Sequence, residues 1–159
     1  MEQLERTRRY LKRIRDIYAG VSTADRTNED CADDVLSFFV HCHHIADWIA
    51  TLNLVGVERS EVEGFVDEHR ELRICTDLSN GTKHCRLTRK TRTKRQPHLA
   101  STQFRSGGGY TKGKFQILSD DEFFDALKLA EDCMKLWDEF VAALKGRPQR
   151  STKQEAIPQ

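Results

Sequence analysis

The sequence predicts an all-α fold: an antiparallel four-helix bundle with a long basic loop or small β-ribbon inserted between the third and fourth helices. Three observations predict it. Apolar residues recur at three- and four-residue steps in four separate segments, acidic or hydroxyl residues stand where most of those segments begin, and the period disappears between Leu87 and Leu118.

Residues 2–19 make the first expected helix, with Leu4, Leu11, Ile14 and Tyr18 along one side. Arg6, Arg8, Arg9, Lys12, Arg13 and Arg15 cover the remaining faces, a pattern of a solvated helix side before that of a phosphate-binding one. Gly20 and residues 22–28 read as a loop. The second helix opens with Glu29, Asp30, Asp33 and Asp34, where the helix dipole favours negative charge, and Thr27 or Asn28 can cap it. Val35, Phe38, Phe39, Cys42, Ile45, Ala46, Ile49 and Leu52 then trace a stripe wide enough to bury against two neighbours, and Gly56 follows its end.

A third helix is expected from Ser60, whose side chain and that of Glu63 fit a capping box. Its stripe, Val62, Phe65, Val66, His69, Leu72, Thr76 and Leu78, runs on into LRICTDLSNGTKHCRL. Asn80-Gly81 also fits a type I′ turn, with RICTDL paired to TKHCRL as a hairpin. The unbroken period upstream favours the helix, in which Gly81 would mark a close helix crossing. From Leu87 to Leu118 threonines alternate with basic residues, Pro97 interrupts, and Phe115-Gln116-Ile117 reads as a short strand facing Ser101–Phe104. The fourth helix is expected from a capping box at Ser119–Glu122, with Phe123, Leu127, Ala130, Met134, Trp137, Val141 and Leu144 as its seam. Gly146 and Pro148 stop it. The expected organisation is one helical-bundle domain over 1–146, with 87–118 as a basic insertion and 147–159 as a disordered tail.

A chain of 159 residues, 38% hydrophobic and 32% charged, has the length and composition of one soluble globular domain. No apolar run approaches the roughly 18 residues of a membrane span, and the N-terminal residues lack the pattern of a secretory signal. The expectation is a cytoplasmic protein with no membrane partner. Five cysteines, odd in number and without a CxxC pair, read as reduced and mostly buried thiols. The net charge of +1 conceals a strong segregation. No acidic residue occurs between Asp77 and Asp120, whereas Lys83, Arg86, Arg89, Lys90, Arg92, Lys94, Arg95, Arg105, Lys112 and Lys114 all do. Such a block attracts a polyanion whatever the total charge.

The candidate site lies at the head of that block. On a helix, Asp77, Asn80 and His84 share one face with Lys83 beside them. An imidazole, an amide and an ammonium on one ridge suit the binding or cleavage of a phosphodiester. His84, Asn80 and Lys83 are therefore the candidate catalytic residues, and Arg86, Arg89, Lys90, Arg92, Lys94, Arg95, Lys112 and Lys114 the candidate nucleic-acid contacts. The bland alternative is a buried polar latch, with His84 bonded to Asp47 or to a carbonyl.

Two other motifs carry less. Gly108–Lys114 matches GxxxxGK, but Phe115 replaces the Ser or Thr that a phosphate-binding loop needs for magnesium. His41, His43, His44 and Asp47 crowd the second helix, yet no matching second ligand pair lies nearby, so no metal and no cofactor is expected. A small-molecule or metal site where His41, His44 and His84 meet stays open as a minor reading.

The helices, with Ser79-Asn80-Gly81-Thr82-Lys83-His84 late in the third, resemble the HEPN family of small helical-bundle proteins. Members carry an Arg, usually followed by a polar residue, then three residues and a His. Asn80 and His84 match, and Ser79 stands at the arginine position. The resemblance implies a homodimer with two motifs in one cleft, metal-independent RNA cutting through the ribose 2′-hydroxyl, and a setting in toxin–antitoxin or antiphage defence. It implies His84 as general acid or base and Asn80 as its orienter. Serine cannot clamp a phosphate with two parallel hydrogen bonds as arginine does, which favours a module that binds RNA or a partner protein over an active endoribonuclease.

Overall fold

The computed structural model describes residues 1–21, 26–52, 56–83, 91–107 and 110–147, with the backbone alone at 101, 106, 107, 110 and 111. Helix α1 (Glu2–Ala19) buries Leu4, Leu11, Ile14 and Ile17. It ends at Gly20, whose φ of 75° is a left-handed conformation open to glycine without a Cβ penalty. Helix α2 (Asn28–Thr51) starts from a capping box: Thr27 accepts from the Asp30 N–H, and the Asp30 carboxylate accepts from that of Thr27. Its apolar stripe, Phe38, Phe39, Cys42, Ile45 and Ile49 among it, is fully enclosed, mostly by α1 and the helix around residue 75.

The expected third helix is two helices. Helix α3 (Arg59–Glu68) and helix α4 (Arg70–Lys83) are separated by His69, which is extended at φ −109° and ψ 118°. Its Nδ1 lies 2.8 Å from the Phe65 carbonyl, at the end that the break leaves open. The expected capping box does not form: α3 begins at Arg59 after Glu58, with no side-chain cap. Beyond the break the helical reading holds. Helix α4 continues through Asn80 and Gly81 to Lys83, so there is no hairpin at those residues. Gly81 does not mark a helix crossing; a Cβ there would stand 2.3 Å from Gln96 Nε2. Residues Ile74 to Ser79 of α4 are all buried, because α2, α3 and α5 surround it.

The expectation of an all-α bundle with a small ribbon is overturned by the sheet. Strands β1 (His98–Gly107), β2 (Tyr110–Ser119) and β3 (Glu122–Asp125) form an antiparallel sheet in that order, before helix α5 (Ala126–Lys145). The pairing of Ser101 with Gln116 and Thr102 with Phe115 agrees with the expected facing segments, but each of the first two strands is 10 residues long. Alternation explains how β2 joins the core. Gly113, Phe115 and Ile117 are buried, while Lys112, Lys114 and Gln116 are exposed. Burying Phe115 and Ile117 contributes about 1.5–3 kcal/mol each. Gly113 permits the close approach of β2 to α1, since a Cβ would meet Ile17 Cγ2 at 3.3 Å. On the other edge of β2, the Tyr18 hydroxyl accepts from the Phe115 N–H at 2.9 Å and donates to its carbonyl at 3.0 Å. That hydroxyl replaces the strand partner that β3 is too short to supply.

The capping box expected at Ser119–Glu122 is instead a β-turn. Asp120 and Asp121 both have positive φ, 51° and 65°, as a two-residue hairpin turn requires. The Asp120 carboxylate accepts from the N–H groups of Lys94 and Arg95, and Arg95 pairs with Asp121, so tertiary contacts hold a turn that non-glycine residues resist. Phe123 is accordingly no helix seam residue but a strand residue, 62% exposed. Helix α5 starts three residues later, with Asp125 accepting from the Lys128 N–H. Among the described residues, no helix is long and apolar enough to cross a membrane.

Candidate nucleic-acid interface

Helices α2, α3 and α4 diverge around a cleft of ≈ 440 Å³, lined among others by His43, Asp47, Arg59, Asp77, Asn80 and Arg92. The end of α4 brings Lys83 to its rim. Lys83 Nζ lies 2.8 Å from His44 Nε2, and His44 Nδ1 lies 3.4 Å from Asp47 Oδ2. An ammonium is a donor only, so Nε2 accepts from Lys83 and the ring carries its proton on Nδ1, toward Asp47. Asp47 in turn sits 3.6 Å from the Arg59 guanidinium. The result is an oriented chain, Lys83–His44–Asp47–Arg59, that ties α4 to α2 and α3. Burial against α2 lowers the Lys83 pKa, with Asp47 opposing it.

His43, next to His44 in α2, points into the same cleft. Burial, with Lys83 next in importance, pushes its pKa down to about 4, so His43 is neutral near pH 7. His41 faces the other way. Its ring packs on Tyr10 at 4.7 Å between centroids, and its carbonyl accepts from Gln3 Nε2 at 2.7 Å. The three histidines and Asp47 do not form a three-ligand group among the described residues.

Asp77 has a different task from the helix-to-helix latch expected for it. Its carboxylate, nearly fully buried, accepts from Thr93 N at 2.6 Å and Thr93 Oγ1 at 2.8 Å. Its carbonyl accepts from Gln96 Nε2. Residues 91–97 therefore form a strap pinned across α4. Arg92 of the strap pairs with Asp67 of α3, and Arg95 pairs with Asp121 at 2.8 Å. Two of the expected nucleic-acid contacts are thus already neutralised. Lys94, Lys112 and Lys114 are exposed and make no ion pair with another described residue. Cross-strand register sets Arg105 opposite Lys112 and Gln103 opposite Lys114, so the outer face of the β1–β2 hairpin is polar and cationic. Its far end carries Phe123 opposite Leu118, and His98 on the other side of Leu118.

Ser79, at the position where the resemblance expects arginine, is 0% exposed and its Oγ has no hydrogen-bond partner. That site in α4 faces the core, so no phosphate can reach it. Asn80 does line the cleft. His84, Arg86, Arg89 and Lys90 lie outside the described residues, and so does Gly108 of the GxxxxGK match. Gly113 and Lys114 of that match, and Phe115 after it, sit inside β2, where no phosphate-cradling turn exists. Sequence reading missed His44, Asp47 and Arg59 as one group. The i,i+3 spacing of His44 and Asp47 was its local trace; Arg59 and Lys83 join only through the fold.

Comparison of the chain with protein-family models, with curated proteins and with solved structures finds no match.

Proposed function

We propose that this chain is an RNA-binding module whose contacts run from the Lys83–His44 rim of the cleft, past Lys94, to the outer face of the β1–β2 hairpin. The observation that carries this reading is the hairpin face itself. Arg105, Lys112 and Lys114 lie side by side with Gln103 and Gln116 on an exposed sheet surface. Lysines on a polar sheet face hold phosphates as point charges, and Phe123 and His98 at the end of the face offer rings for bases to stack on. The strap joins the two regions, since it is bonded to α4 through Asp77 and to the β2–β3 turn through Asp120. A single strand suits this surface better than a duplex, because the face has an exposed aromatic side chain on which an unpaired base can stack.

The test is anisotropy of a labelled single-stranded RNA with the native chain and with Lys112→Gln/Lys114→Gln. Neutralising two phosphate contacts weakens binding and reduces the salt slope by about 1.4. Equal affinity of the variant and the native chain rejects the hairpin as the interface.

A second reading, metal-independent RNA cleavage, is favoured by the oriented Lys83–His44–Asp47 chain, which is an arrangement suited to proton transfer. Against it stands the buried Ser79. Cleavage that survives chelator and is lost in both His44→Ala and Lys83→Ala supports this reading; an intact strand after prolonged incubation leaves the binding module alone.

A further inference from the structure

The core holds a cluster of three cysteines from three different helices. Cys42 of α2, Cys75 of α4 and Cys133 of α5 have relative exposures of 0%, 1% and 0%, and their sulfurs all lie within 4.8 Å of one another. All three are free thiols. At present two of them donate to main-chain carbonyls across helix boundaries: Cys75 to Phe39 O at 3.5 Å and Cys133 to Glu71 O at 3.4 Å. Beside them Trp137 is 1% exposed, and its Nε1–H has no hydrogen-bond partner. A buried, unpaired N–H next to three sulfurs is unusual, because such donors are normally satisfied.

We propose that Cys42, Cys75 and Cys133 form a three-coordinate thiolate site for a soft trivalent metalloid, with arsenic(III) as the ion of that class. Three points select the ligand. The cluster offers sulfur alone, which excludes hard cations that take oxygen. It offers three ligands and no fourth, whereas a structural zinc site takes four. Its enclosure penalises any product with net charge, and a divalent or monovalent ion held by three thiolates is an anion. A trivalent centre with three thiolates is neutral.

The reaction balances without an oxidant. Arsenous acid and three thiols give the trithiolate and three waters: three As–O and three S–H bonds break, three As–S and three O–H bonds form, and each thiol proton leaves on a departing hydroxide. Arsenous acid is itself uncharged near neutral pH, so it enters an apolar interior without the cost of desolvating an ion. Trivalent arsenic keeps a lone pair, so its three bonds are pyramidal; at roughly the 2.3 Å of a zinc–sulfur bond the sulfurs stand about 3.5 Å apart, and a triangle now within 4.8 Å contracts to that by side-chain rotation.

The Trp137 N–H gains a sulfur acceptor when the site is loaded.

The experiment is a titration of the folded full chain with sodium arsenite under reducing conditions, followed by calorimetry, melting temperature and arsenic X-ray absorption. The expected result is one arsenic per chain, three sulfur neighbours and no oxygen at the arsenic, and a melting temperature raised by several degrees, because the ligand binds the folded state. Cys42→Ala, Cys75→Ala and Cys133→Ala each abolish the three-sulfur signal, and Cys31→Ala retains it. A lowered melting temperature shows capture by the unfolded chain and overturns the proposal. So does arsenic with an oxygen neighbour, retention of the signal in the Cys42, Cys75 and Cys133 variants, or tighter binding of zinc(II) or copper(I) at the same cysteines. Should an alanine variant fail to fold, the absorption spectrum of the native chain still decides.

Discussion

Replacing Asp77 with alanine tests the pinning of the basic strap to α4. The Asp77 carboxylate is the acceptor for both Thr93 N and Thr93 Oγ1, at 2.6 and 2.8 Å, in buried surroundings. A hydrogen bond to a charged group is worth about 1.5–3 kcal/mol, and an orphaned buried N–H costs about 1–3 kcal/mol. Removing the charge from the interior recovers part of this, so the net loss is about 3 kcal/mol. For a chain of this size that lowers the melting temperature by about 6–12 °C. Asp77→Asn keeps one acceptor oxygen and loses roughly half as much.

The local effect is sharper than the global one. Limited trypsin digestion of the folded chain reads Arg92, Lys94 and Arg95 directly, because all three lie in the strap. Asp77→Ala exposes these bonds to cleavage before the rest of the chain unfolds, and the Thr93 amide loses its hydrogen-exchange protection. Unchanged exchange at Thr93 together with an unchanged melting temperature refutes the latch.

Two further predictions concern the cleft and the helix that frames it. His43 has a folded pKa near 4, below an unfolded value of about 6.5, so the folded state binds fewer protons between these limits. Stability is fully present above about pH 6.5 and falls by at most 1.36 kcal/mol per unit toward pH 4, about 3 kcal/mol in all; urea titrations of His43→Gln at pH 7 and pH 4.5 should show that difference diminished. Gly81→Ala gains about 1 kcal/mol of helix propensity and displaces the flexible end of Gln96, costing about 1 kcal/mol for its bond to Asp77 O. Its urea midpoint should barely move, whereas a loss of several kcal/mol indicates a turn glycine in place of a helical one.

Helical periodicity in this sequence located what local interactions decide. The Thr27 cap, the stripe of α2 and the run of α4 through Asn80-Gly81 depend on neighbours within one or two turns, and all were legible. The break at His69 was not, since neither glycine nor proline marks it and the apolar steps pass through it unchanged. Ser119-Asp120-Asp121-Glu122 satisfies two rules at once, as a helix cap and as a turn. Lys94, Arg95 and Asp120 settle it from 25 and 26 residues apart. Strands β1 and β2 carry few β-branched residues, and the outward lysines of β2 read as loop charge until Phe115 and Ile117 have a core to face. Of the candidate site, Asn80 and Lys83 were found where helical spacing put them. The partners His44, Asp47 and Arg59 were assembled by packing between helices, and the same is true of the cysteines, which are 33 and 58 residues apart with no periodic trace.

The most direct measurement of the functional account is the dissociation constant of a single-stranded RNA across a range of salt concentrations. Lys83, Lys94, Arg105, Lys112 and Lys114 supply up to five phosphate contacts, so the logarithm of the association constant should fall with that of salt at a slope of up to about −3.5. A flat response, with affinity unchanged from low to physiological salt, contradicts the reading of this surface as a nucleic-acid interface.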